Sequence, residues 1–276
     1  MWDRIEPLMP ADPVRGRRWA DHRRTLEAIA WKYRTNSPWR DLPDELGSFQ
    51  TAHKRLIRWA VDGTWEMILA AVLAAADADD DLDWTVSVDS TVVRAHQHAA
   101  GARKRGDAPG RARRDHGLGR SRGGLSTKVH LAADGHARPL AFTVTAGQAG
   151  DAPAFETVMS RIRVPRPGPG RPRTRPLAVL ADRAYSSRAI RAHLRRRGIR
   201  AVIPQPSDQV GHRLRRGRLG GRPPGFDSEA YKQRNSVERC INRLKQWRGL
   251  ATRTDKLAIA YQAALHLAGI LIWSRR

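Results

Sequence analysis

Residues 84–93 read WTVSVDSTVV, in which apolar and polar residues alternate with the two-residue period of a β-strand. This period assigns one set of side chains to a common face, namely Thr85, Ser87, Asp89 and Thr91. Aspartate is disfavoured inside strands, yet Asp89 stands in the middle of this one. It is therefore either a strand residue that faces solvent or a functional carboxylate held in place by a sheet.

A second aspartate follows a second predicted strand, PLAVLAD at residues 176–182. The apolar run from Leu177 to Ala181 predicts a buried strand, and Asp182 falls at its carboxyl end. Ligands of open α/β sheets bind at that end of the strands. Asp182 could instead cap the helix that follows, for which Ser186 and Ser187 are also candidates.

The order of elements from residue 84 onward predicts the fold class. Strands are expected at 84–93, 126–134 and 139–147, followed by a helix near 153–162, the strand ending at Asp182, a helix at 187–197, a short strand at 201–204 and a basic helix at 231–248. Three strands followed by alternating helices and strands is the order of an α/β, ribonuclease-H-like domain with a mixed sheet. This domain is predicted to span residues 84–276.

The preceding residues predict a small all-helical domain at 1–76, joined through an acidic linker, DADDDLD, at 77–83. Its second helix is expected to bury Phe49, Leu56 and Ile57. Its outer face would then display the candidate DNA contacts Lys54, Arg55 and Arg58, as the recognition helix of a helix-turn-helix unit does. An ordinary basic solvent face is the alternative.

The charge balance favours a polyanionic partner. The 276 residues include 51 Lys and Arg against 27 Asp and Glu, a formal charge of +24. Arginine-rich codon usage accounts for part of the excess, but such a charge still attracts nucleic acid. A single cysteine, Cys240, excludes an intrachain disulfide, and neither a signal peptide nor a membrane span is expected, so we predict a cytoplasmic protein.

Three segments rich in Arg, Gly and Pro interrupt the predicted domain, at 99–124, 165–176 and 210–226. They contain too few apolar residues to fold alone, and we expect mobile basic loops. Such loops could contact phosphates or could simply be solvated.

The basic helix YKQRNSVERCINRLKQWR, residues 231–248, contains one carboxylate, Glu238. Helical spacing puts Tyr231, Arg234, Glu238 and Lys245 on one face, beside a predicted apolar stripe. Glu238 could form a surface ion pair worth about 0.3–0.5 kcal/mol. Alternatively, it could meet Asp89 and Asp182 and bind divalent cations, since Mg²⁺ prefers oxygen ligands.

The spacing Tyr-x2-Arg-x3-Glu-x6-Lys, met by Tyr231, Arg234, Glu238 and Lys245, resembles the signature of insertion-sequence DDE transposases of insertion sequence family 5. VDST around Asp89 and ADRAYSS around Asp182 resemble that family's two aspartate motifs. Further likeness lies in HQHAAGARK, GGLSTKVHL and VTAGQAGDAPAF, so the resemblance covers nearly the whole chain.

The resemblance implies a catalytic and metal-binding triad of Asp89, Asp182 and Glu238, with Mg²⁺, or Mn²⁺ in its place, as cofactor. It implies DNA contacts by Tyr231, Arg234 and Lys245. The expected activity is cleavage at transposon ends and strand transfer into target DNA, with terminal inverted repeats and target as double-stranded partners. A homodimer or larger assembly at the bacterial nucleoid is also expected. A metal-dependent nuclease without strand transfer, or a DNA-binding regulator without chemistry, remains the alternative.

Overall fold

The computed structural model describes residues 1–16, 18–101 and 116–275. Its helices are α1 (Trp2–Ile5), α2 (His22–Thr35), α3 (Phe49–Val61), α4 (Thr64–Ala78), α5 (Gln97–Ala100), α6 (Asp151–Arg161), α7 (Arg188–Arg196), α8 (Ser207–Arg215), α9 (Ser228–Lys232), α10 (Asn235–Lys245), α11 (Arg248–Ala251) and α12 (Ala258–Trp273). Its strands are β1 (Thr85–Ala95), β2 (Gly119–Ser121), β3 (Gly124–Ala133), β4 (Pro139–Ala146), β5 (Ala178–Ala181), β6 (Arg200–Val202) and β7 (Thr252–Arg253). Most of the basic segment predicted at 99–124 lies outside the described residues.

The strands form one mixed sheet in which β1 is central. On one side, β1 pairs antiparallel with β3, and β3 pairs antiparallel with β4 and β2. On the other side, β1 pairs in parallel with β5, and β5 pairs in parallel with β6. The short β7 runs parallel to the end of β1. Helices α6 and α7 lie in the crossovers between the parallel strands, which confirms the predicted ribonuclease-H-like domain.

Helices cover β1 on both faces, and its sequence alternation decides which face each helix meets. The Ser87 hydroxyl bonds the Ser236 hydroxyl of α10 at 2.9 Å. The side chain of Ser90 points to the opposite face, where its hydroxyl donates to Asp151 of α6. Val86 and Val88 are fully buried. The predicted two-residue period is therefore confirmed, and Asp89 belongs to the face beneath α10.

The N-terminal helices share one hydrophobic core with the sheet. Buried side chains of α2, α3 and α4 belong to the same cluster as those of β1, β4 and α12. Gly269 allows α12 to approach closely, because a Cβ there would meet Pro139 at 3.3 Å and Leu69 at 3.6 Å. Helix α4 continues through Ala78, two residues into the predicted linker. The domain boundaries themselves remain a prediction.

The prediction of one helix over residues 231–248 is wrong. Helix α9 ends at Lys232, and α10 begins at Asn235. Tyr231 of α9 packs against side chains of β5 and β6, whereas α10 packs on β1 and β3. Because neighbouring strands of a sheet are twisted relative to one another, one straight helix does not follow both pairs.

Two smaller expectations also fail. Residues 210–215, predicted as part of a loop, belong to α8, whose start is favoured by Asp208 in its first turn. Leu177, predicted inside a buried strand, is 63% exposed because β5 begins one residue later.

Among the described residues, no single helix has the length and apolar character to cross a bilayer, although α3 and α4, bent by 72°, pass that test as a pair on length and composition alone.

We expect Trp273→Ala to lower the free energy of unfolding by about 3–5 kcal/mol, because the side chain is fully buried where α12 joins the helices to the sheet. Its indole Nε1 also donates to the Pro139 carbonyl at 2.7 Å. Urea denaturation would measure the loss. Ile259→Ala in the same helix is the control, since Ile259 is 39% exposed and should change stability by no more than about 0.5 kcal/mol. Equal losses in both variants would contradict the role given to α12.

Candidate active site

Two aspartates lie next to each other where the parallel strands β1 and β5 end their pairing. The last paired residues are Val88 and Ala181, and Asp89 and Asp182 follow them directly. Asp182 Oδ1 accepts a hydrogen bond from the Ala184 amide at 2.9 Å. It therefore caps the short 3-10 turn Arg183–Tyr185 and not the helix that was its alternative, and it still stands at the edge where ligands of α/β sheets bind. Ser187, and not Ser186, caps α7.

Helix α10 brings Glu238 over the same edge. Its buried stripe consists of Val237, Cys240 and Leu244 and packs onto the sheet. Ser236, also buried, bonds Ser87 of β1. The single cysteine therefore has a packing role. Because this stripe faces the sheet, the Glu238 side chain lies at the edge of the buried face of α10 and remains 49% exposed.

Arg234 joins two of the three carboxylates. Its Nη2 donates to Asp89 Oδ2 at 2.9 Å, and its Nη1 donates to Glu238 Oε1 at 2.7 Å. The Arg234 and Asp89 side chains are only 19% and 18% exposed, so this ion pair is largely shielded from solvent. The surface ion pair proposed as the alternative for Glu238 therefore exists, but it also includes Asp89. The ion-pair interpretation of Glu238 is confirmed by this contact, whereas its interpretation as a metal ligand stays a prediction.

The pKa of Asp89 is raised above its ordinary value, and burial is the main cause. The Ser90 amide, which donates to Asp89 Oδ1 at 2.8 Å, and the Arg234 guanidinium both oppose the shift. The negative charges of Asp182 and Glu238 add to it. Asp89 therefore experiences both of the other predicted site carboxylates, although the sequence separates the three widely.

The three carboxylates do not form a ready-made metal cluster. Within the described ranges, no group of three His, Cys, Asp or Glu side chains is arranged to hold an ion. A guanidinium stands between Asp89 and Glu238 instead. The donor set, three carboxylates without Cys or His, suits a hard divalent cation. Glu238 is exposed enough to change rotamer, so the chemistry of the donors fits such a cation.

The other two signature residues lie beside this group. Lys245 lines a small cavity with Thr91 and Val93, which share the β1 face of Asp89, and burial lowers its pKa. The Tyr231 ring packs on Ala178, Leu180 and Val202 and meets Phe226 with ring centroids 5.3 Å apart. All four signature residues therefore lie on the α9–α10 side of the sheet.

The prediction that Arg55 is an exposed DNA contact is wrong. Its side chain is buried, its guanidinium stacks on Trp19 at 3.9 Å, and its Nη1 bonds His22 Nδ1 at 3.0 Å. Trp19 lies in an irregular segment, and helical periodicity does not reveal such a partner. Lys54 and Arg58 are exposed as predicted.

The apolar side of α3 also differs from its prediction. Leu56 is fully buried, but Phe49 and Ile57 are only partly buried, and Trp59 takes the central place in the core. Ser236 was not among the predicted site residues either. Its small side chain between Asn235 and Val237 was the available signal, because a close approach of α10 to β1 requires a small residue.

The chain matches two protein-family descriptions, "Putative transposase of IS4/5 family" over residues 1–69 and "Transposase DDE domain" over residues 81–273. A "Putative transposase for insertion sequence element IS6501" from Brucella ovis is 29% identical over 151 residues, which cover 55% of this chain and 100% of that protein. An uncharacterized protein from Sinorhizobium fredii is 40% identical over 105 residues, covering 37% of this chain and 79% of that one. The solved Mos1 transposase paired-end complex with left transposon end has a TM-score of 0.27 and 12% identity, covering 97% of this chain and 80% of that one, a likeness too distant to inform the site.

We expect Asp89→Asn to raise the melting temperature near neutral pH in the presence of a chelator. Because the folded state raises the pKa of Asp89, folding becomes less favourable as pH rises through that pKa and the side chain ionises. The gain of the variant should therefore be largest at about pH 7 and vanish at about pH 3, where aspartates are protonated in either state. Calorimetry across this range tests it, with the exposed Asp41→Asn as control. A variant that is less stable at neutral pH would contradict the expectation.

Proposed function

We propose, because the chain belongs to the insertion-sequence DDE transposase family, that Asp89, Asp182 and Glu238 are the carboxylates with which it cleaves the ends of its element and joins them to target DNA. The chain is a DNA transposase, and DNA is its partner. The proposal concerns which residues perform the reaction and how.

One observation carries the assignment. Asp89 and Asp182 follow the last paired residues of two parallel strands, and Arg234 ties Asp89 to Glu238 across the same edge. Residues far apart in the sequence thus converge where α/β sheets bind ligands. The negative charges of Asp182 and Glu238 both raise the pKa of Asp89, which agrees with this placement.

Membership in the family implies a divalent metal cofactor, and we propose Mg²⁺ with Asp89, Asp182 and Glu238 as its protein ligands. Bound in pairs, such ions activate a water or a 3′-hydroxyl and stabilise the leaving oxygen in an in-line displacement at phosphorus. The protein supplies these oxygen donors from the middle of β1, from the residue after β5 and from α10. Asp89 and Asp182 are fixed by backbone amides of Ser90 and Ala184, whereas Glu238 keeps the freedom of an exposed side chain.

Arg234 is positioned to bind two kinds of anionic group, the carboxylates of the site and a DNA phosphate. In the structure it neutralises Asp89 and Glu238, which would otherwise repel each other. A DNA phosphate that reaches this edge brings further negative charge, and a guanidinium binds phosphate through the same paired N–H groups. We propose that Arg234 exchanges carboxylate for phosphate contacts when DNA arrives.

Further DNA contacts are proposed for Lys245, beside Thr91 on the Asp89 face, for Tyr231, and for the exposed Lys54 and Arg58 of α3. The charge of +24 supports a binding surface wider than the active site. Two transposon ends must be processed together, so we propose a dimer or larger assembly on terminal repeats, acting at the nucleoid.

We expect Asp89→Asn, Asp182→Asn and Glu238→Gln each to lower strand cleavage by at least about a thousandfold, because loss of one ligand charge impairs metal-assisted displacement. A duplex with the element's flanking DNA is the substrate for cleavage. Pre-cut ends with a supercoiled plasmid test joining. The control is Glu229→Gln, since Glu229 lies nearby in α9 but its side chain is 78% exposed and pairs with Lys232.

The outcomes separate the alternatives. Nicking without joined product would favour a nuclease, and DNA binding without any cleavage by the unaltered chain would favour a regulator. Unchanged cleavage by Glu238→Gln would overturn the triad.

A further inference from the structure

The sheet face opposite Asp89 carries a polar cluster that the proposed chemistry does not use. It includes Lys128 from GGLSTKVHL, residues 123–131, and Asp151 from VTAGQAGDAPAF, residues 144–155. They meet directly beneath Ser90, the residue that follows Asp89. The cluster therefore lies under the active site and not in it.

Asp151 Oδ1 is the centre of the cluster. It accepts the Ser90 hydroxyl at 2.6 Å and the Lys128 ammonium at 3.0 Å. Lys128 Nζ also donates to the Ala149 carbonyl at 2.6 Å, which fixes it to the turn before α6. The Lys128 side chain is 13% exposed and that of Asp151 is 27% exposed. Such shielding makes the ion pair more than a solvated surface contact.

The location of the cluster coincides with a weak point of the sheet. Pairing of β1 with β5 stops at Val88, because the chain turns away after Ala181. Among the residues that the structure describes, Asp89 and Ser90 then pair with β3 and no longer with β5. The Ser90–Asp151–Lys128 chain ties this part of β1 to α6 and to β3. These contacts support β1 from the α6 face at the point where its pairing with β5 has ended.

Buried polar groups surround the cluster. The Tyr185 hydroxyl is buried, lies near Ser90 without a hydrogen bond of normal geometry, and has its pKa raised by burial and by Asp151, Asp89 and Asp182 in turn. His130 Nδ1 is buried 3.8 Å from Asp151 Oδ1, and burial lowers the pKa of His130 to about 4. His130 is therefore neutral near pH 7, and Lys128 is the cation that balances Asp151. Tyr185 shows that the carboxylates above and below the sheet are within electrostatic reach of one group.

We propose that Lys128 and Asp151 are positioning residues that act through Ser90 to hold Asp89 in place for metal binding and cleavage. Neither contacts the reacting atoms. The proposal rests on the proposed function, because it assumes that Asp89 is a metal ligand. Groups that orient a ligand in this way commonly change metal affinity or activity without forming part of the coordination shell.

The test compares Asp151→Asn, Lys128→Met and Ser90→Ala in the full chain. We expect each to weaken binding of Mn²⁺, used alone as the probe, and to lower kcat for cleavage by about 10- to 100-fold, with KM for the DNA little changed. Ser90→Thr keeps the hydroxyl and should restore most of the loss seen in Ser90→Ala. A purely structural role would not produce this split between kcat and KM.

Asp77→Asn is the matched control. Asp77 also accepts one neutral donor, Trp84 Nε1 at 2.7 Å, and one cation, Arg173 Nη1 at 3.3 Å, and its side chain is 18% exposed. Trp84 lies five residues before Asp89, about 16 Å along the strand. The Asp77→Asn substitution should therefore affect stability without affecting Mn²⁺ binding.

The outcomes distinguish the inference from the function on which it rests. If Asp89→Asn abolishes Mn²⁺ binding while Asp151→Asn and Ser90→Ala behave like Asp77→Asn, the positioning role is overturned and the triad stands. If Asp89→Asn itself binds Mn²⁺ and cleaves normally, the proposed function fails first. If Ser90→Thr is as impaired as Ser90→Ala, the proposal that Asp151 and Lys128 act through the Ser90 hydroxyl is wrong.

Discussion

The parallel pairing of β1 with β5 is the constraint on which the rest of the site depends. Its register places Val88 beside Ala181, and so the next residue of each strand is an aspartate at one edge of the sheet. A shift of one residue in this register would turn Asp89 toward the opposite face, because side chains alternate along a strand. The register is protected by the fully buried Val86 and Val179, whose loss from the core would accompany any slip.

Helix α10 adds the third carboxylate and a cation at the same time. Burial of Asp89 beside two like charges is unfavourable, and Arg234 offsets only part of the cost, since the pKa of Asp89 remains raised. A site that destabilises its own charged groups is expected where charge must be met by a ligand. The break between α9 and α10 serves this arrangement, because Arg234 stands at the start of α10 and reaches both Asp89 and Glu238.

Local periodicity was sufficient to place both aspartates of the candidate site. Alternation in β1 correctly placed Asp89 with Ser87, and the apolar run before Asp182 correctly ended at a strand terminus. Properties that depend on distant partners could not be predicted in the same way. Arg55 is buried because Trp19 covers it.

The end of α9 at Lys232 likewise goes with the different strands on which α9 and α10 pack, which no spacing within residues 231–248 records. The position of the Arg234 guanidinium between Asp89 and Glu238 also depends on a partner that is distant in the sequence. Spacing assigned Arg234 and Glu238 to a shared side, but it gave no indication that Asp89 would complete the contact.

The two faces of β1 therefore have different partners at neighbouring residues. Asp89 faces α10, where Arg234 binds both Asp89 and Glu238, and Ser90 faces α6, where Asp151 accepts the Ser90 hydroxyl and the Lys128 ammonium. A strand that loses one neighbour at its functional residue needs support from elsewhere. Support from the opposite face leaves open the edge at which we propose that DNA approaches. The proposed positioning role accounts for a lysine and an aspartate on the face opposite the carboxylates.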